Sequence, residues 1–177
     1  MSSVALLMAG ASPDFVRLYR EHVDVVWRVI SRLGVRSADV EDAVQDVFIV
    51  AHRRLSTLNA PPASWLTGIA VKVAHDYRRR DARKPSSPLE PAKNEPDRAK
   101  LPDELAEQRD SLEYALRLLD RMPSEQRDVF VLAELEQLTA PEIAAVTSVP
   151  VNTVYSRLRL ARARFNELVA EQEPHHE

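Results

Sequence analysis

The chain has no cysteine among its 177 residues. That excludes a disulfide scaffold, a thiol nucleophile and a thiolate zinc site, and it fits a reducing compartment. Glycine is nearly as scarce, with three residues, which removes phosphate-cradling loops of the GxGxxG or GxxxxGK type. No apolar run approaches the roughly 18–20 residues that cross a bilayer, so no membrane association is expected. The opening Met1-Ser2-Ser3-Val4-Ala5-Leu6-Leu7-Met8 resembles a signal peptide only faintly, because it lacks a basic start and its apolar stretch is short. A cytoplasmic protein is expected, with Met1 and Met8 as two candidate starts. Histidines 22, 52 and 75 are dispersed, His175 and His176 sit in a short polar tail, and no carboxylate pair lies near a nucleophile motif. Nothing points to an enzyme, a metal or a cofactor.

What is present is a folding composition, 45% hydrophobic and 29% charged. The net charge of −3 hides segregation. Residues 68–84 carry Lys72, Arg78, Arg79, Arg80, Arg83 and Lys84 against Asp76 and Asp81, and residues 150–166 carry Arg157, Arg159, Arg162 and Arg164 with no acid. Two compact basic stripes on an acidic background suit a two-point contact with nucleic acid, although solvated helix faces would also account for them.

Pro85, Pro88, Pro91, Pro96 and Pro102 crowd one short stretch. Proline at that density forbids a helix and marks a linker. The expected architecture is all-α, with two small helical domains at 12–84 and 105–170 joined by a flexible Pro-rich linker at 85–104 that leaves them little mutual order. In the first unit, Ser12-Pro13 opens a helix whose face is Phe15, Leu18, Tyr19, His22, Val26, Val29, Ile30 and Leu33, and Gly34 ends it. A second helix is predicted over 37–58. A third is capped by Ser64 and runs through Trp65, Ile69, Val73 and Tyr77. In the second unit helices are predicted over 103–121, with Leu105, Leu112, Leu116 and Leu119 inward, and over 124–136. The capping box of Thr139 and Glu142 then opens a short helix, Thr147-Ser148-Val149 turns the chain, and a last helix from Pro150 places Val154, Leu158 and Phe165 inward. A short helix, a tight turn and a basic helix form a helix-turn-helix.

Two faces lack a core role. On the second helix Glu41, Asp42, Gln45 and Asp46 gather around Ile49, opposite the apolar stripe, as a polar rim surrounds an apolar anchor in protein interfaces; a solvated face with one stray apolar residue is the alternative. On the last helix Asn152, Thr153, Ser156, Arg159 and Leu160 point outward, flanked by Arg157 and Arg164. Asn, Ser, Thr and Arg near a helix N-terminus are the groups that read base edges, and arginines further along suit phosphates.

The order of motifs is telling. Asp39-Val40-Glu41-Asp42-Ala43-Val44-Gln45-Asp46-Val47-Phe48, then Trp65-Leu66 with Ile69-Ala70, then Asp76-Tyr77-Arg78-Arg79-Arg80, resembles region 2 of bacterial sigma factors. Met122-Pro123-Ser124-Glu125-Gln126-Arg127-Asp128-Val129-Phe130, Glu142-Ile143-Ala144 and the run from Val149 to Leu158 resemble region 4. Two such regions joined by a linker resemble the extracytoplasmic-function group of the sigma-70 family. The resemblance implies a transcription initiation factor that recognises promoter DNA on core RNA polymerase. Glu41, Asp42, Gln45, Asp46 and Ile49 match the face that docks on the β′ clamp helices, and the β flap is a second expected contact. Asn59, Trp65, Lys72, Asp76, Arg79 and Arg80 form the set implied for the melted −10 strand. Asn152, Thr153, Tyr155, Ser156, Arg157, Arg159, Leu160 and Arg162 form the −35 set. An anti-sigma factor is a further implied partner. The chain departs from the family in a proline-rich −10 loop, in Lys72 where relatives often have asparagine, in Leu160 where arginine is frequent, and in Ala140-Pro141. A dimeric helix-turn-helix regulator would explain 139–168 but leave the acidic second helix and the segment 65–80 without a task.

Overall fold

A computed structural model describes residues 11–58, 60–83 and 103–171. The side chains of Thr57, residues 103–110 and Leu112 lie outside that description, as do Asn59, Lys84, most of the linker, both candidate starts and His175-His176. Every regular element among the described residues is helical.

Helix α1 (Pro13–Arg32) begins as its sequence demands: the Ser12 hydroxyl accepts from the Phe15 amide at 3.3 Å, and Pro13 fills the first turn. It ends at Gly34, whose φ of +79° is left-handed. The second predicted helix is interrupted. A 3₁₀ turn at Ser37–Asp39 leads into α2 (Val40–Arg54), and another at Leu55–Thr57 leaves it. Helix α3 (Pro62–Asp81) starts earlier than expected, with Pro62 in its first turn, so Ser64 lies inside the helix rather than capping it. Phe15, Val29, Ile30, Val47, Phe48, Ala51, Leu66 and Ala70 close the core of this unit, with Phe15 edge-on to Phe48 at 6.4 Å.

Helix α4 (Asp103–Asp120) precedes α5 (Ser124–Phe130). Leu119 is buried as predicted, Leu116 only half-buried, and Leu118 is the second core anchor. The chain does not continue as one α-helix to 136. It widens into a π turn at Val131–Leu135, where the Glu136 amide reaches the Val131 carbonyl at 3.0 Å. Helix α6 (Ala140–Thr147) follows, its first turn fastened by Glu142, which accepts from the Thr139 amide at 2.8 Å and hydroxyl at 2.7 Å. Those bonds hold the Glu142 carboxyl below its usual range. Ser148 turns the chain at φ +58°, a left-handed cap usually given to glycine. Helix α7 (Val151–Ala170) buries Val154, Leu158, Ala161 and Leu168, and Phe165 stacks on Phe130 at 4.7 Å.

The expectation of little mutual order between the units is corrected by their packing. α3 lies against α6, and the buried side chains of both units form one continuous cluster. Trp65, Ile69 and Val73, through which the third helix was predicted to run, line a cleft of about 600 Å³ walled on the far side by Ala145 and Val146. The deeper interior belongs to Leu66, Ala70, Val71 and Ala74.

Polar ties reinforce this contact. Asp128 of α5, 4% exposed, accepts both arms of the Arg78 guanidinium, at 2.8 and 3.0 Å, and pairs with His75 Nε2 at 2.5 Å. Burial alone would raise its carboxyl, but the hydrogen bonds and charges of His75 and Arg78 prevail and hold it below the ordinary carboxylate value. The neighbouring Arg127 donates to the Leu119 carbonyl at 2.6 Å and reaches Asp120 at 3.3 Å. Its guanidinium lies so close to Gly34 that a Cβ there would fall 1.5 Å from Nη1. The π turn delivers Glu136 to Arg32 at 2.7 Å and Arg28 at 3.3 Å.

Gly34→Ala is therefore expected to cost more than the roughly 1–2 kcal/mol of a left-handed alanine, because Arg127 must also leave a buried seat; a total of about 3 kcal/mol or more is expected in urea denaturation. A loss confined to about 1 kcal/mol would mean that Arg127 does not sit on Gly34 in solution.

Candidate nucleic-acid interface

The helix-turn-helix presents its second helix as the sequence suggests. Pro150 ends the turn and leads into α7, whose buried Val154 and Leu158 fix its rotation. Asn152, Tyr155, Ser156, Arg159 and Leu160 are then exposed, and Thr153 is half-buried. Tyr155 at 59% and Leu160 at 46% are large apolar surfaces left in water, which suits a helix that meets a partner. The Ser156 hydroxyl donates to the Thr153 carbonyl at 3.0 Å, so it offers a partner its lone pairs.

The basic stripe is less positive than its composition. Arg157 pairs with Glu125 at 2.8 Å, Arg162 with Glu134 at 2.7 Å, and Arg164 with Glu167 at 3.1 Å. Of the four arginines only Arg159 lacks an acidic partner among the described residues.

The same holds on α3. Arg78 is engaged with Asp128, Arg79 pairs with Asp76, and Arg80 lies over the Tyr77 ring at 5.1 Å. Lys72 is exposed and shares the cleft between α3 and α6 with Asp76 and Trp65. Trp65 is half-buried and packed against the core, so one part of its ring has a structural role while another faces the cleft.

On α2, Glu41 and Asp42 are exposed in the first turn, where acids also favour the helix dipole. Gln45, Asp46 and Ile49 are half-buried. Asp46 has a partner inside the unit that periodicity did not reveal: it accepts from the Tyr77 hydroxyl at 2.8 Å, tying α2 to α3. Burial, followed by this carboxylate, pushes the Tyr77 hydroxyl up to about 12. His52 meets Phe15 edge-on at 4.8 Å and His75 serves Asp128, so the histidines share no site. Among the described residues no group of acids and histidines could hold a metal, and no helix is long and apolar enough to cross a membrane.

Residues 18–84 match sigma-70 region 2 and residues 112–165 match sigma-70 region 4. The chain is 34% identical to the ECF RNA polymerase sigma-E factor of Escherichia coli, over 94% of its own length and 92% of that protein. It belongs to the extracytoplasmic-function group of the sigma-70 family. A second relative of this sigma factor, ECF sigma factor SigM of Mycobacterium tuberculosis, is 32% identical over 95% of the chain and 85% of its own length. Among solved structures, CnrH in complex with the cytosolic domain of CnrY aligns with a TM-score of 0.68 at 24% identity, covering 96% of both chains. RpoE of Bartonella quintana, solved with the anti-sigma factor NepR, aligns at 0.67 and 18%, covering 92% of this chain and 100% of that one. Both share the fold.

Tyr77→Phe isolates the α2–α3 tie. A hydroxyl whose pKa is raised on folding stabilises fully below its unfolded value of about 10, and that contribution is lost as pH rises toward about 12. The sigma factor is expected to lose stability between these values more steeply than Tyr77→Phe, by paired urea unfolding at pH 8 and above pH 10; parallel profiles would refute the tie.

Proposed function

We propose that this sigma factor binds core RNA polymerase through the exposed end of α2, reads the −35 element with α7, and holds the melted −10 strand along α3. The observation that carries this reading is the pair of surfaces that the cores leave over. Glu41, Asp42 and Ile49 lie on α2 away from its buried face, and Asn152, Tyr155 and Arg159 lie on α7 away from its own. Residues 12–84 and 105–170 are the two working units, and 85–104 the connection that lets them reach separate DNA elements.

Each role follows from the chemistry available. Asn152, Thr153, Tyr155 and Ser156 sit in the first turns of α7, the part of a recognition helix that enters a major groove. Arg159, Arg157 and Arg162 are further along and address phosphates, which give affinity and register rather than sequence. Leu160 suits a thymine methyl. On α3, Lys72, Arg79 and Arg80 follow the backbone of a single strand, with Asp76 orienting Arg79 through their ion pair. Unstacking a base costs a few kcal/mol, and stacking on an aromatic ring returns about 1–3 kcal/mol; the cleft-facing part of Trp65 is one candidate for it, and Asn59 is the other by its side-chain chemistry. Asp46 and Gln45 act at the polymerase face by holding its shape, Asp46 through Tyr77.

Few phosphate contacts per unit mean weak, salt-sensitive binding by the free protein. Core polymerase supplies the missing affinity by fixing the two units at promoter spacing, so that the second DNA contact becomes intramolecular. The β′ clamp helices and the β flap are the two docking points this requires. An anti-sigma factor is a further partner, supported by the complex of RpoE with NepR.

Run-off transcription with purified core enzyme over a randomised promoter library tests the reading; initiation that depends on this chain is expected, and its absence would sink it. Within that assay, Ile49→Asp with Asp42→Lys should weaken core binding at least tenfold. Arg159→Ala with Asn152→Ala should lower use of the −35 element about tenfold with core affinity unchanged. Equal loss of core binding by both pairs would show that the faces are misassigned.

A further inference from the structure

The cleft beside α3 has the size, lining and charge of a small-molecule site. We propose that it binds a small aromatic anion, with the ring among Trp65, Ile69, Val73 and Val146 and the acid group held by Lys72. The site is read from the cavity itself; only its effect on the −10 strand rests on the promoter reading above.

Volume and lining are the first ground. The cleft holds about 600 Å³, within the roughly 300–1,000 Å³ of pockets that take small ligands. Three helices wall it: Val50 and Arg54 come from α2, Trp65 and Lys72 from α3, and Ala145 and Val146 from α6. Val50, Trp65, Val73 and Val146 are only half-buried, so water in the cleft lies against carbon and has few hydrogen-bond partners. An apolar guest that displaces such water gains affinity. Trp65 adds a flat ring, which favours a second ring in offset or edge-on contact over a flexible chain.

Gly68 is the second ground. It lies inside α3, where glycine weakens a helix relative to alanine. Its backbone is ordinary helix, with no positive φ to require it. Close packing does not require it either, because an added Cβ would meet only Val146 Cγ2, at an ordinary 3.8 Å. What glycine preserves at this position is room in the cleft that it lines.

Charge is the third ground. Four ionisable side chains surround the cleft: Arg54, Lys72, Asp76 and Glu142. Asp76 is held by Arg79, and Glu142 takes two hydrogen bonds from Thr139. Lys72 is exposed and makes no hydrogen bond or ion pair among the described residues. Arg54 places a second positive charge on the α2 side. An acid group on the guest therefore meets an uncommitted ammonium beside an apolar floor, whereas a cationic guest would face like charge. Trp65 and Lys72 are also assigned to the promoter strand. They cannot serve both at once, so occupancy of the cleft competes with capture of the −10 strand.

Anilinonaphthalene sulfonate, an aromatic anion whose emission rises in apolar surroundings, is the probe. In the full chain carrying Trp27→Phe, Trp65 is the one tryptophan left, and energy transfer from it reports binding at the cleft. One probe per chain is expected, with micromolar affinity. Val146→Phe, which fills the cleft from α6, and Lys72→Gln, which removes the charge, should each weaken binding about tenfold. Circular dichroism checks that helix content is kept, and Lys72→Gln, at an exposed position, keeps the test open should Val146→Phe misfold. Absence of binding, or binding that neither variant moves, would overturn the site. Naphthoate should displace the probe better than decanoate, which carries the same charge on a flexible chain; the reverse order would overturn an aromatic guest. Saturating probe should lower run-off initiation about tenfold, and by less in Val146→Phe measured against its own rate without probe. Binding at the cleft with undiminished initiation would overturn the competition. A chain that never directs initiation would remove the promoter reading and leave the binding result standing.

Discussion

A single carboxylate organises the relation between the two halves of this sigma factor. Asp128 is buried where α5 meets α3, and its charge survives there only because Arg78 and His75 face it from the other unit. Arg78 is positioned in turn by the Leu33 carbonyl at 2.6 Å, one residue before the left-handed Gly34. Arg127 rests on that glycine, so the consecutive residues Arg127 and Asp128 engage the end of α1 and the last turns of α3 together. The apolar contact of α3 with α6 contributes area, but the charged pair fixes one geometry for it. Apolar surfaces tolerate sliding; a bidentate guanidinium does not.

A second theme is the internal compensation of charge. The basic stripes are present in composition, yet three of their arginines have acidic partners supplied by distant segments, Glu125 and Glu134 for α7 and Asp128 for α3, and Arg79 and Arg164 pair with acids on their own helices. The acidic residues that give the chain its net charge of −3 are thus partly local partners of the groups assigned to DNA. This reconciles an acidic average with a nucleic-acid function and explains why average charge was a poor guide.

Much of the fold was legible. Capping at Ser12, the stop at Gly34, the capping box of Thr139 and Glu142 and the core stripes of α1 and α7 are local patterns, and local patterns are what periodicity reports. The family resemblance rests on several ordered motifs, and the matches to regions 2 and 4 agree with it. What could not be read was non-local. The spacing of Trp65, Ile69 and Val73 announces an apolar face but not which partner covers it, here Ala145 and Val146 of α6. The π turn at Val131–Leu135 has no signature in the hydrophobic pattern, and its work, carrying Glu136 to Arg28 and Arg32, depends on a helix more than a hundred residues earlier. Asp46 was read as part of a polymerase face, and only the fold reveals its tie to Tyr77. One signal was overlooked: Arg127-Asp128 stands directly before Val129-Phe130-Val131-Leu132, and two charges abutting such a run are candidates for a buried, paired site.

The carboxylates already bound to the α7 arginines alter how association with DNA responds to its medium. A phosphate that captures Arg157, Arg162 or Arg164 evicts a tethered acid from the same protein. The DNA still sheds its condensed cations, but the released glutamate must find its own counterions, and some of the entropic gain is returned. The steepness with ionic strength is therefore lower than a tally of arginines would give, and mutating Glu125 or Glu134 would steepen it without touching any residue that meets the duplex.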